Sequence, residues 1–207
     1  MPSTVVHLAL AGLVGTALLA GALSGRTILL VMLVTVIPDL DTFLGLVLPG
    51  THRAALHTLT VPALVAGLIL YDTHVRERSL VDRYGPNARR VAWTCLAAFV
   101  IAGIGPDLFW NGVNLLYPFH DRFYELSGKV VISNQRGLVQ TIWQTAEQSS
   151  PGTTKTVHYS TGVDPSPGPE PKNVERIFPV VNGGMQMLIV VSSLVVVGAR
   201  LFETRNR

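Results

Sequence analysis

Five chemically capable side chains crowd into Pro38–His57, PDLDTFLGLVLPGTHRAALH: Asp39, Asp41, His52, Arg53 and His57. Carboxylates and imidazoles are metal-ligand types, and a guanidinium grips anions such as phosphate through paired hydrogen bonds. Apolar runs flank the stretch on both sides. A charged group at membrane depth costs about 2.5–3.5 kcal/mol on insertion scales, so such groups mark function by default. The plain alternative is two solvated loop aspartates, with the histidines and Arg53 reaching for the interface.

The spacing narrows the chemistry. Asp39 and Asp41, two apart, cannot share a helical face, but they can flank an ion from a kinked segment. His52 and His57 would lie about 140° apart on a helix. They converge only if His52 precedes the helix and His57 falls in its first turns, which the break at Pro49-Gly50-Thr51 allows. This differs from HExxH, whose histidines share a face. A mixed His/Asp set suits Zn²⁺ first, then Mn²⁺ or Fe²⁺, over the all-oxygen preferences of Mg²⁺ and Ca²⁺. Such an ion activates water and polarises a carbonyl or phosphoryl oxygen. The chain has no nucleophilic-serine elbow, phosphate-binding glycine loop or zincin motif, so metal-activated water is the one hydrolytic route with visible parts.

The elements that must position these groups are apolar. Of 207 residues, 48% are hydrophobic and 14% charged, with a mean hydropathy of +0.40. Soluble domains carry about 25% charged residues, so the composition points to a membrane. The net charge of +3 and pI near 9.3 come from arginines scattered through loops and tails. With no aromatic-interleaved basic patch, nucleic acid is not an expected partner. The single cysteine, Cys95, excludes an intrachain disulfide and a cysteine-based zinc site.

Five runs predict about five transmembrane helices in an all-α integral membrane protein. Thr4–Ser24 is long enough to span; it lacks the basic start of a signal peptide and is read as retained. Ile28–Ile37 is too short, is broken at Pro38 and resumes at Phe43–Leu48, an interruption tolerated only inside protein or beside a watery cavity. Ala54–Tyr71, Val91–Gly105 with its continuation past Pro106-Asp107, and Ile177–Ala199 complete the set. Trp110 and Tyr117 suit an interfacial aromatic belt. Residues 1–118 form the core, 119–176 an external loop and 177–207 the last span with a basic tail. Within the loop, KVVIS and LVQTIWQ read as a hairpin around Asn134–Gly137, TKTVHYSTG as a third strand, and VDPSPGPEPK as an extended linker.

Placing the Arg-rich 72–90 connection in the cytoplasm orients everything else. Arg26 and the C-terminal tail fall on the same side, and the N-terminus falls outside. His7, Asp39, Asp41, His52, His57 and Asp107 then meet in the outer leaflet, whereas Asp72 and His74 end inside, solvated.

With these residues in place, the chain resembles the LexA-regulated, membrane-bound metal-dependent hydrolases. His7 matches that family's helix-1 histidine, Pro38-Asp39-Leu40-Asp41 its PD-apolar-D motif, and Thr51–Thr58 the spacing of its H-R-G-apolar-T-H-S element. Asp107 and Gly112–Pro118 match a later helix and the apolar stretch after it. The match covers residues 1–118. Gly103 stands where the family has a histidine, and Ala54 and Leu56 replace a Gly and a Thr; His120 or His158 could stand in for the missing ligand. The resemblance implies metal ligands His7, Asp39, Asp41, His52, His57 and Asp107, with Asp39, Asp41, Arg53 and Asp107 serving catalysis. Distant similarity of that family to zinc-dependent phospholipase C and P1-type nucleases implies phosphoester substrates, and the expected activity is hydrolysis of a phosphoester or lipid-like substrate at the outer leaflet of the bilayer. The rival expectations are a non-catalytic membrane scaffold with a structural or vestigial metal site, and a transporter. The lack of an inverted repeat and the clustering of charge at one end weigh against transport.

Overall fold

The computed structural model describes residues 3–110, 112–142, 152–170 and 172–206. Seven α-helices and one hairpin run in chain order within it. Helix α1 (Thr4–Leu19) starts under a Ser3 cap that accepts from the Val6 N–H, and a 3₁₀ turn extends it to Ala22. Helix α2 (Gly25–Val34) opens on a Ser24/Thr27 capping box. After a turn, a 3₁₀ turn at Pro38–Leu40 leads into α3 (Asp41–Gly45). The α2 and α3 pieces bend by 42° at the break. Helix α4 is Thr60–His74. Helices α5 (Ala88–Ala98) and α6 (Gly105–Trp110) join through a π-helical segment at Phe99–Ile104, so Pro106 does not interrupt the 23-residue span Ala88–Trp110. Helix α7 is Gly184–Arg205.

Helix α1 is the hub. Gly12 lets α7 approach until an added Cβ would sit 2.9 Å from Ser193 Oγ, and Gly15 admits Ile28 at 2.5 Å. This is close packing through small residues, the usual device of helices in lipid. Ala11, Leu19, Ile28, Val31, Ala98 and Ala102 fill the junction of α1, α2 and α5. The outer faces of α3 and α7 remain apolar and exposed, as at Phe43, Leu188 and Leu194. Thr4–Ala22, Ala88–Trp110 and Gly184–Arg205 are each long and apolar enough to cross a membrane, and the bent α2–α3 pair makes a fourth candidate.

Several expectations shift. Helix α4 begins at Thr60, not Ala54, because residues 51–59 form an irregular turn with Arg53 at φ +62°. Helix α7 begins after Gly183, at φ +108°, leaving Ile177–Asn182 irregular. The hairpin forms as β1 (Val130–Ser133) against β2 (Gly137–Gln140), Val130 opposite Gln140. Trp143 and Gln144 of its expected second strand lie outside the described residues, as do Asn111, Pro171 and Arg207. The expected third strand does not form. Thr153 and Thr156 turn the chain locally, the Thr153 N–H donating to the Thr156 hydroxyl at 2.9 Å, and such side-chain bonds compete with a strand ladder. The Pro-rich segment folds back: Arg176 donates to the Gly162 carbonyl and pairs with Glu170. Asp72 is buried rather than solvated, accepting from Ser79, Leu80 and Val81 to cap the turn after α4.

Candidate metal centre

Four donor atoms from four segments converge where α1, the Pro38 turn, the 51–59 turn and α6 meet. His7 Nε2 lies 3.3 Å from Asp107 Oδ2 and 3.9 Å from Asp39 Oδ1. His57 Nε2 lies 3.2 Å from the same Asp107 oxygen and 3.6 Å from the same Asp39 oxygen. Donors about 2.0–2.1 Å from a tetrahedral ion stand about 3.3–3.4 Å apart, which is the spacing of the His7 and His57 contacts to Asp107, with Asp39 set slightly further out. His7, Asp39 and Asp107 each present a ligand atom within 4.8 Å of the others.

Each histidine is held from behind. His7 Nδ1 donates to the Ala102 carbonyl at 2.6 Å. The residue four places beyond Ala102 is Pro106, which has no N–H to occupy that carbonyl, and the π-helical segment carries it towards α1. His57 Nδ1 donates to Asp41 Oδ2 at 2.9 Å. A neutral imidazole that donates through Nδ1 leaves an Nε2 lone pair for a metal, and such backing partners set ring orientation. His57 Nε2 is buried with no hydrogen-bond partner, an orphaned atom that a cation would satisfy. The residues therefore fit a divalent transition ion. Asp39 is the open member, its side chain 26% exposed against 3% for Asp107, and the Thr4 hydroxyl steadies its second oxygen at 2.5 Å.

Asp41 and His52, expected as ligands, stand one step back. Fully buried, Asp41 accepts from His52 Nδ1 at 3.0 Å and from His57 Nδ1, so it clamps both rings. His52 also meets the Thr42 hydroxyl at 2.8 Å. Its Nε2 is buried, unpartnered, and makes none of the contacts that gather His7 and His57 around Asp39 and Asp107. Arg53, 1% exposed, donates from one terminal nitrogen to Asp107 Oδ1 while Nε and the other terminal nitrogen have no partner. Its guanidinium lies 4.8 Å from the ring centre of Tyr159, and burial pushes the Tyr159 hydroxyl up to about 12, keeping it neutral. Unpaired guanidinium donors beside a cation site suit an oxyanion.

Gly103 is a packing point. A Cβ there would come 3.2 Å from Pro38 Cγ and 3.6 Å from the Thr35 carbonyl, so this face of the helix meets the turn that carries Asp39. His120 is exposed, and His158 reaches only Asp164, at 3.9 Å; neither joins the cluster. The sequence reading missed the Ala102 carbonyl, Thr4 and Tyr159. Only the first had a signal, the proline four residues on.

The segment that carries Tyr159 covers the site. Asp121 accepts from the Asn114 amide and from the Thr154 N–H and hydroxyl, tying 152–156 to the core. A cavity of about 630 Å³ reaches Asp39 and His52 from between α1, the α2–α3 break and residues 160–182.

A family model described as YdjM inner membrane protein matches residues 1–161. No curated protein and no solved structure matches the chain. The match spans well over half of the 207 residues and includes every member of the His/Asp cluster. With its apolar helices, this makes the protein a multi-pass membrane protein in contact with the lipid bilayer, and the chain belongs to the YdjM inner membrane protein family.

Proposed function

We propose that the protein is a membrane-bound, metal-dependent hydrolase of phosphoesters, in which His7, His57 and Asp107 would hold a single divalent transition ion, zinc foremost, with Asp39 beside the position left to water. The observation that carries this reading is the convergence of two Nε2 atoms on the same two carboxylate oxygens, with both rings fixed through Nδ1. A bound ion supplies Lewis acidity towards water and towards a phosphoryl oxygen. Arg53 takes a non-bridging phosphoryl oxygen with its free donors and orients the ester towards Asp39. Asp39, the most accessible carboxylate, accepts the proton of the attacking water. Asp41 keeps His57 in the tautomer that leaves Nε2 basic, and Tyr159 with the loop above it excludes bulk water.

The accompanying topology has five spans. The broken α2–α3 pair and α4 join the three long helices, with the N-terminus outside, the C-terminus cytoplasmic and the centre in the outer leaflet. The arginines at 26, 76, 78, 83, 89, 90 and 200 then share the cytoplasmic side.

Elemental mass spectrometry on purified protein, wild type beside His7→Ala/His57→Ala, tests the centre. Expected is one equivalent of transition metal in wild type, lost in the double variant, with metal-dependent turnover of bis(p-nitrophenyl) phosphate. Wild type that binds no such ion at micromolar concentrations overturns the reading.

A further inference from the structure

The cavity beside the centre is lined mainly by apolar surface, with Thr4, Thr42, Ser160, Thr161, Glu175 and Asn182 among its polar residues. Asp39 and His52 lie on the side of the centre; Leu40 and Phe43 from the α2–α3 break face Ile177 and Phe178 from the segment before α7. These four apolar side chains are 46, 55, 63 and 66% exposed, so the walls run on to the outer surface of the molecule. Phe178 is seated against Gly162, where an added Cβ would lie 2.5 Å from its ring, which joins this wall to the covering loop. In a multi-pass protein, an exposed apolar surface flanking a broken span faces acyl chains.

Depth points the same way. The ten residues of α2 rise about 15 Å before the turn and 42° bend that lead to Asp39, within a hydrocarbon core about 30 Å thick. Asp39 thus sits below the headgroup level of the leaflet remote from Arg26. A water-soluble ester must cross that distance out of water, whereas a lipid phosphate need only sink a few ångströms with its chains already in place.

Resting on the hydrolase reading, we infer that the substrate is the phosphoester of a membrane lipid, whose chain enters sideways between the Pro38 break and residues 175–182. Water oxygen forms the new bond to phosphorus, the bond from phosphorus to the leaving alcohol oxygen breaks, and the alcohol departs with a proton. Leu40, Phe43, Ile177 and Phe178 read the chain; Asp39, His52 and Arg53 face the phosphate.

The test uses the full chain, zinc-loaded in lipid nanodiscs, and p-nitrophenyl alkyl phosphodiesters with one- to eight-carbon chains. Chain burial raises kcat/KM by up to about fourfold per methylene. Partition into the bilayer raises wild type and variants alike, so the informative quantity is the wild-type to Phe43→Asp ratio. That ratio is expected to climb at least tenfold from the one-carbon to the eight-carbon ester. Phe43→Leu, which keeps an apolar wall, should hold it within threefold. Ile177→Asp, on the opposite wall and outside any helix, repeats the measurement if Phe43→Asp fails to retain metal. Turnover of every ester with a constant ratio overturns the lipid inference and leaves the hydrolase standing. No turnover of any ester by zinc-, manganese- or iron-loaded protein overturns both.

Discussion

Replacing Asp41 by Asn separates a residue that holds ligands from one that is a ligand. The Oδ2 side of Asp41 receives two N–H donors, His57 Nδ1 at 2.9 Å and Leu56 N at 3.3 Å. The Oδ1 side faces His52 Nδ1 at 3.0 Å, and His52 in turn meets the Thr42 hydroxyl. An amide has one acceptor oxygen and one NH₂ donor. Its oxygen belongs on the side with two fixed donors, so the NH₂ turns to His52, whose ring can move its proton to Nε2 and accept through Nδ1. His57 then keeps its Nε2 lone pair. Each of three bonds to a buried carboxylate falls from about 1.5–3 to about 0.5–1.5 kcal/mol, a loss near 3 kcal/mol in stability. Metal affinity falls by about tenfold, the low end for a partner behind a ligand. Chelator competition measures the affinity, and ¹⁵N shifts of labelled histidines in zinc-loaded protein report which ring changes tautomer. A loss well beyond a hundredfold, or a change at His57 with His52 unaltered, would refute the assignment of Asp41 to positioning.

Further consequences lie elsewhere in the fold. Gly103→His, which restores the residue of the hydrolase pattern, is expected to add no metal equivalent and to lower stability by about 1–3 kcal/mol through overpacking on Pro38 and Thr35; a tighter site by chelator competition would count against this. Gly50→Ala places a Cβ 1.8 Å from the Thr154 carbonyl oxygen at a φ of +82°, so residues 152–156 should undock and become cleavable by protease under conditions in which wild type resists. Burial raises the Asp121 carboxyl, but the Thr154 and Asn114 donors outweigh it and hold the group below the ordinary 3.8. A depressed carboxyl contributes stability above its unfolded value and loses it as pH falls through the folded one. Loop protection in hydrogen exchange should therefore fall only below about pH 4, and Asp121→Asn should show the weakened protection at every pH.

What the sequence made legible follows from which forces act locally. Pro38 between two apolar runs announced the bend between α2 and α3, and two short apolar runs on either side of Asn134–Gly137 announced the hairpin, because both are written in neighbouring residues. The meeting of His7, Asp39, His57 and Asp107 was also legible, through the expectation that successive apolar runs bring these residues to one end of the bundle. The division of labour within the cluster was not. Asp41 and Asp39 are the same residue type two positions apart, and only the packing of the 51–59 turn decides that one backs the histidines while the other faces the cavity. That turn escaped notice because Ala54–Tyr71 is mostly apolar despite His57, Thr58 and Thr60, and Arg53 at φ +62° leaves no trace in composition. The start of α7 was misjudged for a related reason: the apolar run continues N-terminal to the helix, where Ile177, Phe178 and Pro179 line a cavity.

Charge accounting inside the centre leads to one more measurement. Asp39, Asp41 and Asp107 oppose one guanidinium, Arg53, and with neutral imidazoles two negative charges remain in a region that is otherwise apolar. Uncompensated charge of that size is costly in a low-dielectric interior, so on the proposed metal reading a divalent cation would stabilise the folded state in a way that monovalent ions would not. Ligand present at 1,000 times its Kd stabilises by about 4.1 kcal/mol. For a protein of this length a change of 1 kcal/mol moves Tm by about 2–4 °C, which makes about 8–16 °C. Chelation of the detergent-purified protein should therefore lower Tm by about that much. Zinc, manganese or iron should restore it and 100 mM sodium or potassium should not, and in Asp107→Asn/Asp39→Asn, where the excess charge is gone, chelation should have little effect. A wild-type Tm that ignores both chelator and added metal would mean that the cluster neutralises itself with protons alone, and the assignment of a metal centre would fall with it.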